Sequence, residues 1–267
     1  MKNFLPQPFH LVTLSPWPIM MSFNVMLFLV SMFKMFNFPK LPWESSMFLS
    51  LITILLCMFQ WWRDTSREST FQGFHSNYVM NGIKLGMILF IVSEVFFFIS
   101  FFWAYFHMFL APSVEIGQSW PPMGMKMNIL DPYDLPLLNT IILISSGMFL
   151  SVAHYSIIKK KNYNANFCMF FTILLGVIFT FIQKHEYSHA SFSIFSSSYG
   201  ATFFMMTGFH GIHVIIGTIF IVISYMRLMM HNFSNTHHIG FEASAWYWHF
   251  VDVVWLLLFL FVYWMPY

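Results

Sequence analysis

Seven long stretches of this chain run almost without charge, near Trp17–Phe33, Trp43–Trp62, Met80–Leu110, Pro136–Ile158, Tyr163–Gln183, Tyr199–Met229 and Phe241–Tyr263. A helix that crosses a bilayer needs about 17 to 25 mostly apolar residues to cover a hydrocarbon core of roughly 30 Å. Inside that core no water satisfies backbone N–H and C=O groups, so a run of this length must be a helix bonded to itself. The expectation is an all-α, polytopic membrane protein with seven transmembrane helices. The third and sixth stretches exceed what a bilayer requires, so they should tilt or project into the interface. Polar and turn-forming residues gather between the stretches, as in Pro112–Pro136 and His231–Gly240.

Composition closes the other routes. Only 8% of the residues are charged and 58% are hydrophobic, where a soluble domain carries about 25% charge. The chain lacks the polar residues to cover a water-facing globule, which excludes a soluble enzyme. A net charge of +2 forms no basic stripe for nucleic acid, and disorder is excluded by the same hydrophobicity. Cys57 and Cys168 lie in separate apolar runs, which argues against a disulfide framework and against a CxxC-type metal or redox site. Met1–Met21 reads as neither a secretory signal nor an Arg-rich transit peptide, so insertion without a removable address is expected. No internal repeat is visible, which weakens an inverted-repeat transporter.

Seven spans place the termini on opposite faces. With the N-terminus on the positive face, that face holds Lys2, Arg63, Arg67, Lys84, Lys159, Lys160, Lys161 and Arg227. The other holds Lys34, Lys40, Lys126 and Lys184, and Glu44, Glu115, Asp131, Asp134 and Glu186 fall in its loops. The positive-inside rule selects this orientation.

Ionisable residues inside the spans are the candidate functional groups, because an isolated charge at that depth costs several kcal/mol. Glu94 stands in the apolar run from Met87 to Ser100 with no basic residue near it in sequence. It reads either as a proton-linked or gating carboxyl or as an acid hydrogen-bonded to a neighbouring helix. His210 and His213, at i and i+3, share one helix face, as metal ligands would need. Two ligands do not make a site, and Gly208, Gly211 and Gly217 beside them suggest close helix packing with inter-helix hydrogen bonds instead. His249 and Asp252 repeat the i, i+3 geometry and read as a hydrogen-bonded structural pair. No span carries the paired histidines that a haem-binding bundle needs.

At the end of the second span, Trp61-Trp62-Arg63-Asp64 is followed by Arg67-Glu68. Tryptophans seat at headgroup level and arginines pair with phosphate. Arg227, His237 and His238 fall on the same membrane face, so these residues either bind an anionic lipid headgroup or form an aromatic belt with snorkelling arginines.

Several segments together resemble one family. They are Ser15-Pro-Trp-Pro, Gln60-Trp-Trp-Arg-Asp, Arg67-Glu-Ser-Thr-Phe-Gln-Gly and Gly86-Met-Ile-Leu-Phe-Ile-Val-Ser-Glu, then Trp120-Pro-Pro, Pro136-Leu-Leu-Asn-Thr, Gly208-Phe-His-Gly-Ile-His-Val-Ile-Ile-Gly and Phe241-Glu-Ala-Ser-Ala-Trp-Tyr-Trp-His-Phe-Val-Asp-Val-Val-Trp. In this order they resemble the mitochondrial cytochrome c oxidase subunit III family over nearly the whole chain. The resemblance implies a non-redox subunit of the terminal respiratory oxidase, an oxidoreductase that passes electrons from cytochrome c to oxygen and translocates protons. It implies no cofactor or metal in this chain, with haem A and copper held by subunits I and II, further small subunits as neighbours, and bound phospholipid. The surplus of Phe (36) and Met (22) fits translation from AT-rich organellar DNA, and the implied location is the mitochondrial inner membrane, N-terminus on the matrix side.

The resemblance also implies a helix pair at about residues 1–70 and a five-helix bundle at 71–267, with a V-shaped lipid cleft. Lipid-contact positions of the family fall on Trp62, Glu68, His75, Arg227 and His237, with Trp61 and Arg63 adjacent. The family's buried, carbodiimide-reactive glutamate falls on Glu94, as a modulator rather than a catalyst. His10 matches an N-terminal histidine on the proton-uptake side, though without its usual companions. Phe74-His75-Ser76 departs from the more common polar or basic residue, His, then Thr. Two other readings compete: a stand-alone proton-coupled carrier with a relay through Glu94, His210 and His249, and a catalytic haem–copper chain, which would need more intramembrane histidines than are present.

Overall fold

In the computed structural model, residues 9–38 and 43–267 are described, and all their regular structure is helical. Lys2 and Lys40 of the charge count, and the start of the expected N-terminal segment, lie outside them. The seven spans are α1 (Trp17–Asn37), α2 (Trp43–Thr70), α3 (Asn77–Leu110), α4 (Leu135–Ile158), α5 (Asn162–His189), α6 (Ser198–Met229) and α7 (Ile239–Leu258), the last continuing into a π-helical turn at Phe259–Trp264. All seven are long and apolar enough to cross a membrane.

Local chemistry sets several of their ends. Pro18 and Pro136 occupy the first turns of α1 and α4, where a fixed φ and a missing N–H cost nothing. Ser197 caps α6 by accepting a hydrogen bond from the Gly200 N–H at 3.1 Å. α3 and α6 are the longest helices, at 34 and 32 residues, as expected. The C-terminal ends of α2 and α5 run furthest past their apolar stretches. α2 continues past Trp62 to Thr70 and α5 past Gln183 to His189. Leaving the hydrocarbon does not end a helix: the backbone bonds propagate, and Arg, Glu, Gln and Lys are good helix formers in the headgroup region. Trp61-Trp62-Arg63-Asp64 therefore does not close α2, and Glu186, expected in a loop, is a buried residue of α5.

The chain forms two compact units, Met1–Ile83 and Lys84–Tyr267, the division falling inside α3. In the first unit α1 packs along α2 through small polar side chains. Ser31 and Ser46 share a hydrogen bond of 2.8 Å, Thr53 donates to Asn24 Oδ1 at 3.3 Å, and Cys57 is buried against the Trp17 carbonyl. Lipid tails are as apolar as leucine, so helices in a bilayer associate through such close contacts rather than by hiding apolar surface. The large apolar side chains, Leu27, Phe33, Leu49 and Phe59 among them, point outward.

In the second unit α4–α7 pack around two tryptophans of α7, Trp248 and Trp255, both fully buried. Trp248 lies against bare backbone. A Cβ on Gly176 of α5 would stand 2.8 Å from its ring, and one on Gly217 of α6 would stand 2.9 Å from it. Gly208 and Gly211, which the sequence suggested for the same role, have nothing within 4 Å of a Cβ, so only Gly217 of that trio makes a close approach. The indole N–H groups are satisfied on α4: Trp248 donates to Ser146 Oγ at 2.9 Å and Trp255 to Thr140 Oγ1 at 3.0 Å. The helical segment ends at Trp264, so the carbonyls of its last turn have no helical partner, and Tyr105 and Tyr199 donate to those of Phe261 and Val262 at 2.9 and 3.2 Å. α3 joins the bundle by ring contacts, with Phe97 edge-on to Phe209 and Phe98 edge-on to His213, the centroids 5.1 and 5.0 Å apart.

Candidate functional site

Glu94 of α3 finds its partner on α6. Its Oε2 lies 2.8 Å from Nε2 of His213, while Nδ1 of the same ring lies 2.7 Å from the Phe209 carbonyl. A carbonyl only accepts, so Nδ1 carries the hydrogen, and in a neutral imidazole Nε2 is then a lone pair. The contact with Glu94 is therefore a hydrogen bond only with one more proton in it, as imidazolium against carboxylate or as imidazole against carboxylic acid. The pair joins α3 to α6. It lies in an apolar groove of about 450 Å³, whose walls include Met87, Phe90, Phe97, Ile216 and Phe220. Phe98 and Tyr247 flank the imidazole.

The other intramembrane candidates close locally. Buried His210 donates through Nε2 to the Val251 carbonyl at 3.2 Å and lies against Trp255 and Phe179. It shares a helix face with His213 but not its partner. Nδ1 of His249 stands 3.7 Å from Asp252 Oδ2, and that carboxylate packs over Gly147 of α4.

The expected lipid-contact residues divide between the units. In the first, Arg63 donates from Nε and Nη2 to Asp64 Oδ1 at 3.1 and 3.0 Å, and Trp17 donates to Asp64 Oδ2 at 2.9 Å. Glu68 is engaged by His10, at 3.1 Å, and by the Thr13 hydroxyl, also at 3.1 Å, which ties the N-terminal segment to the end of α2. Trp62 is exposed, whereas Trp61 and His75 are half-buried. In the second unit the Arg227 guanidinium lies over the Phe233 ring at 4.8 Å, against the backbone of Gly240. Partial burial, reinforced by the positive charge of Arg227 and by His238, pushes His237 below its usual 6.5. It is therefore largely uncharged at neutral pH, beside a fixed cation.

Two polar clusters were not assembled by the sequence reading, which set Glu186 in a loop and grouped His238 with the headgroup candidates. Buried Glu186 accepts from the Tyr263 hydroxyl at 2.7 Å and from the Gln183 amide at 3.1 Å, and Asn139 of α4 donates to Gln183 at 3.3 Å. Lys184 and His185 beside it made the segment look solvated. At the other end of the bundle Lys84 pairs with Glu242 at 2.7 Å, and His238 lies 3.3 Å from the same carboxylate. The spacing of His238 and Glu242 at i and i+4 was the available signal.

A family model described as cytochrome c oxidase subunit III matches residues 7–267. Among curated proteins, cytochrome c oxidase subunit 3 of Rhipicephalus sanguineus is 52% identical over 260 residues, covering 96% of this chain and 98% of its own. Proteins of the same name from Heterololigo bleekeri and Drosophila melanogaster are 51% and 50% identical, covering 96% and 99% of this chain and 97% and 99% of their own.

Proposed function

This chain belongs to the cytochrome c oxidase subunit III family, and from that membership we propose that it packs beside the oxidase's metal-bearing subunits I and II in the mitochondrial inner membrane. It is a non-catalytic subunit of the complex that transfers electrons from cytochrome c to oxygen. In this reading haem A and copper reside in the partners, the N-terminus faces the matrix, and this chain stabilises the catalytic subunit, holds phospholipid and supports proton uptake.

The observation that carries the lipid role is the placing of the Glu94–His213 pair in a groove otherwise lined by hydrocarbon and rings. Such a groove suits an acyl chain, and a pair that shares its proton is tolerated there at far lower cost than a bare carboxylate. Trp61, Trp62, Arg63, Glu68 and His75 in the first unit and Arg227 and His237 in the second are the proposed headgroup contacts. Arg227 is the most committed of them, because Phe233 and Gly240 fix its guanidinium plane and a fixed planar fork suits phosphate.

Purification through a tag on this chain in mild detergent tests the reading. Haem A, copper and oxygen consumption should co-purify. A folded, colourless, metal-free chain would overturn it and bring the proton-coupled carrier forward. Arg227→Ala should lower the phospholipid retained per haem A in mass spectrometry of the purified complex and shorten activity during sustained turnover. Unchanged lipid content would remove Arg227 from the headgroup site.

A further inference from the structure

Where α4 and α6 end and α7 begins, three side chains that the proposed headgroup contacts do not include converge. His154 lies in the last two turns of α4, His238 is the N-cap residue of α7 and Glu242 is in its first turn. One ligand-type atom from each lies within 4.8 Å of the other two.

His238 shows what this cluster lacks. Its Nδ1 lies 3.0 Å from the Ser234 carbonyl, which only accepts, so Nδ1 carries the hydrogen. Nε2 is left as a lone pair on a side chain that is 5% exposed, with no hydrogen-bond partner of its own among the described residues. It faces Glu242 Oε1 at 3.3 Å. Two acceptors at that distance repel unless a proton or a cation lies between them. The Lys84 ammonium sits 2.7 Å from Oε2, so it neutralises the carboxylate from the other side. The His154 ring meets the His238 ring edge-on, with centroids 5.4 Å apart.

We propose that His154, His238 and Glu242 bind a divalent transition-metal ion of the zinc type, with water completing its coordination. Two imidazoles and one carboxylate form a donor set that suits zinc and leaves a fourth position open. Bonds of about 2.0–2.1 Å in a tetrahedron separate ligand atoms by about 3.3 Å, the spacing that Nε2 and Oε1 already have. The His154 ligand atom lies within 4.8 Å of both, so it must approach for the third edge to close. The outer contacts are also in place. The Ser234 carbonyl fixes the His238 tautomer that presents Nε2, and Lys84 orients the carboxylate to present Oε1. Lys84 also repels the incoming ion, so it lowers the affinity of the site. An entering ion displaces any proton held between Nε2 and Oε1.

Metal analysis of the purified, intact oxidase tests this, after equilibration with micromolar zinc chloride and removal of free metal by gel filtration. Wild type should retain one zinc per complex more than His238→Gln or His154→Gln, with an unchanged haem spectrum as the control for assembly. Lys84→Met should fill the site at lower free zinc. Equal zinc in wild type and in either assembled histidine variant would overturn the proposal and leave the cluster as a proton-sharing pair. Should neither variant assemble, zinc-edge X-ray absorption of loaded minus unloaded wild type decides. Two imidazole nitrogens with oxygen support the site, and a shell without imidazole overturns it.

Discussion

Trp248→Ala is expected to destabilise the second unit by about 3 kcal/mol. Removing a buried Trp from a soluble core costs about 3–5 kcal/mol. In a bilayer the transfer part of that cost shrinks, because lipid is as apolar as the core, so the lower end applies. What remains is lost dispersion and a cavity that cannot collapse, because the walls are the backbones of Gly176 and Gly217 rather than movable side chains. The Ser146 hydroxyl also loses the indole donor that reaches it at 2.9 Å. The measurement is the temperature at which this chain leaves the detergent-solubilised oxidase, read by native electrophoresis, and it should fall by several degrees. An unchanged temperature would mean that the Trp248 contact does not hold α5, α6 and α7 together.

His213→Leu is expected to cost about 2 kcal/mol, because removing one partner leaves the Glu94 carboxyl without its hydrogen bond in an apolar groove. Glu94 would then face hydrocarbon with nothing to share its proton. Glu94→Gln should be nearly neutral for assembly, since the new amide donates to the Nε2 lone pair that the Phe209 carbonyl leaves available. The double variant Glu94→Leu with His213→Leu should recover most of the loss, replacing the pair by apolar groups that suit the groove. The same dissociation assay, run as a double-mutant cycle, checks this. If the double variant is as unstable as the sum of the two single changes, the pair does not couple α3 to α6.

The two residues of that pair were legible to different degrees. A carboxyl in the middle of an apolar run announces itself, and so Glu94 stood out in the sequence. His213 was visible only as half of an i, i+3 couple with His210, a pattern that suggested a shared role. The structure separates them: His213 turns to α3, while His210 turns to the α7 carbonyl of Val251. Spacing along one helix tells which side chains share a face, not which neighbour lies opposite. Glu186 was missed for the converse reason. Its neighbours Lys184 and His185 are exposed, but the 3.6-residue period turns Gln183 and Glu186 inward to Tyr263.

The number, kind and approximate limits of the seven spans were determined by the sequence alone, because a bilayer leaves a long uncharged run one way to satisfy its backbone. Family membership was legible too, since its motifs are local strings in a fixed order. The pairing of Glu94 with His213, the wedge of Trp248 between two glycines and the meeting of His154, His238 and Glu242 were decided only by tertiary structure. Each joins side chains from different helices, and lipid exerts no hydrophobic force to choose among helix faces. Small residues, ring shapes and buried hydrogen bonds make that choice, and their partners exist only once the helices have packed.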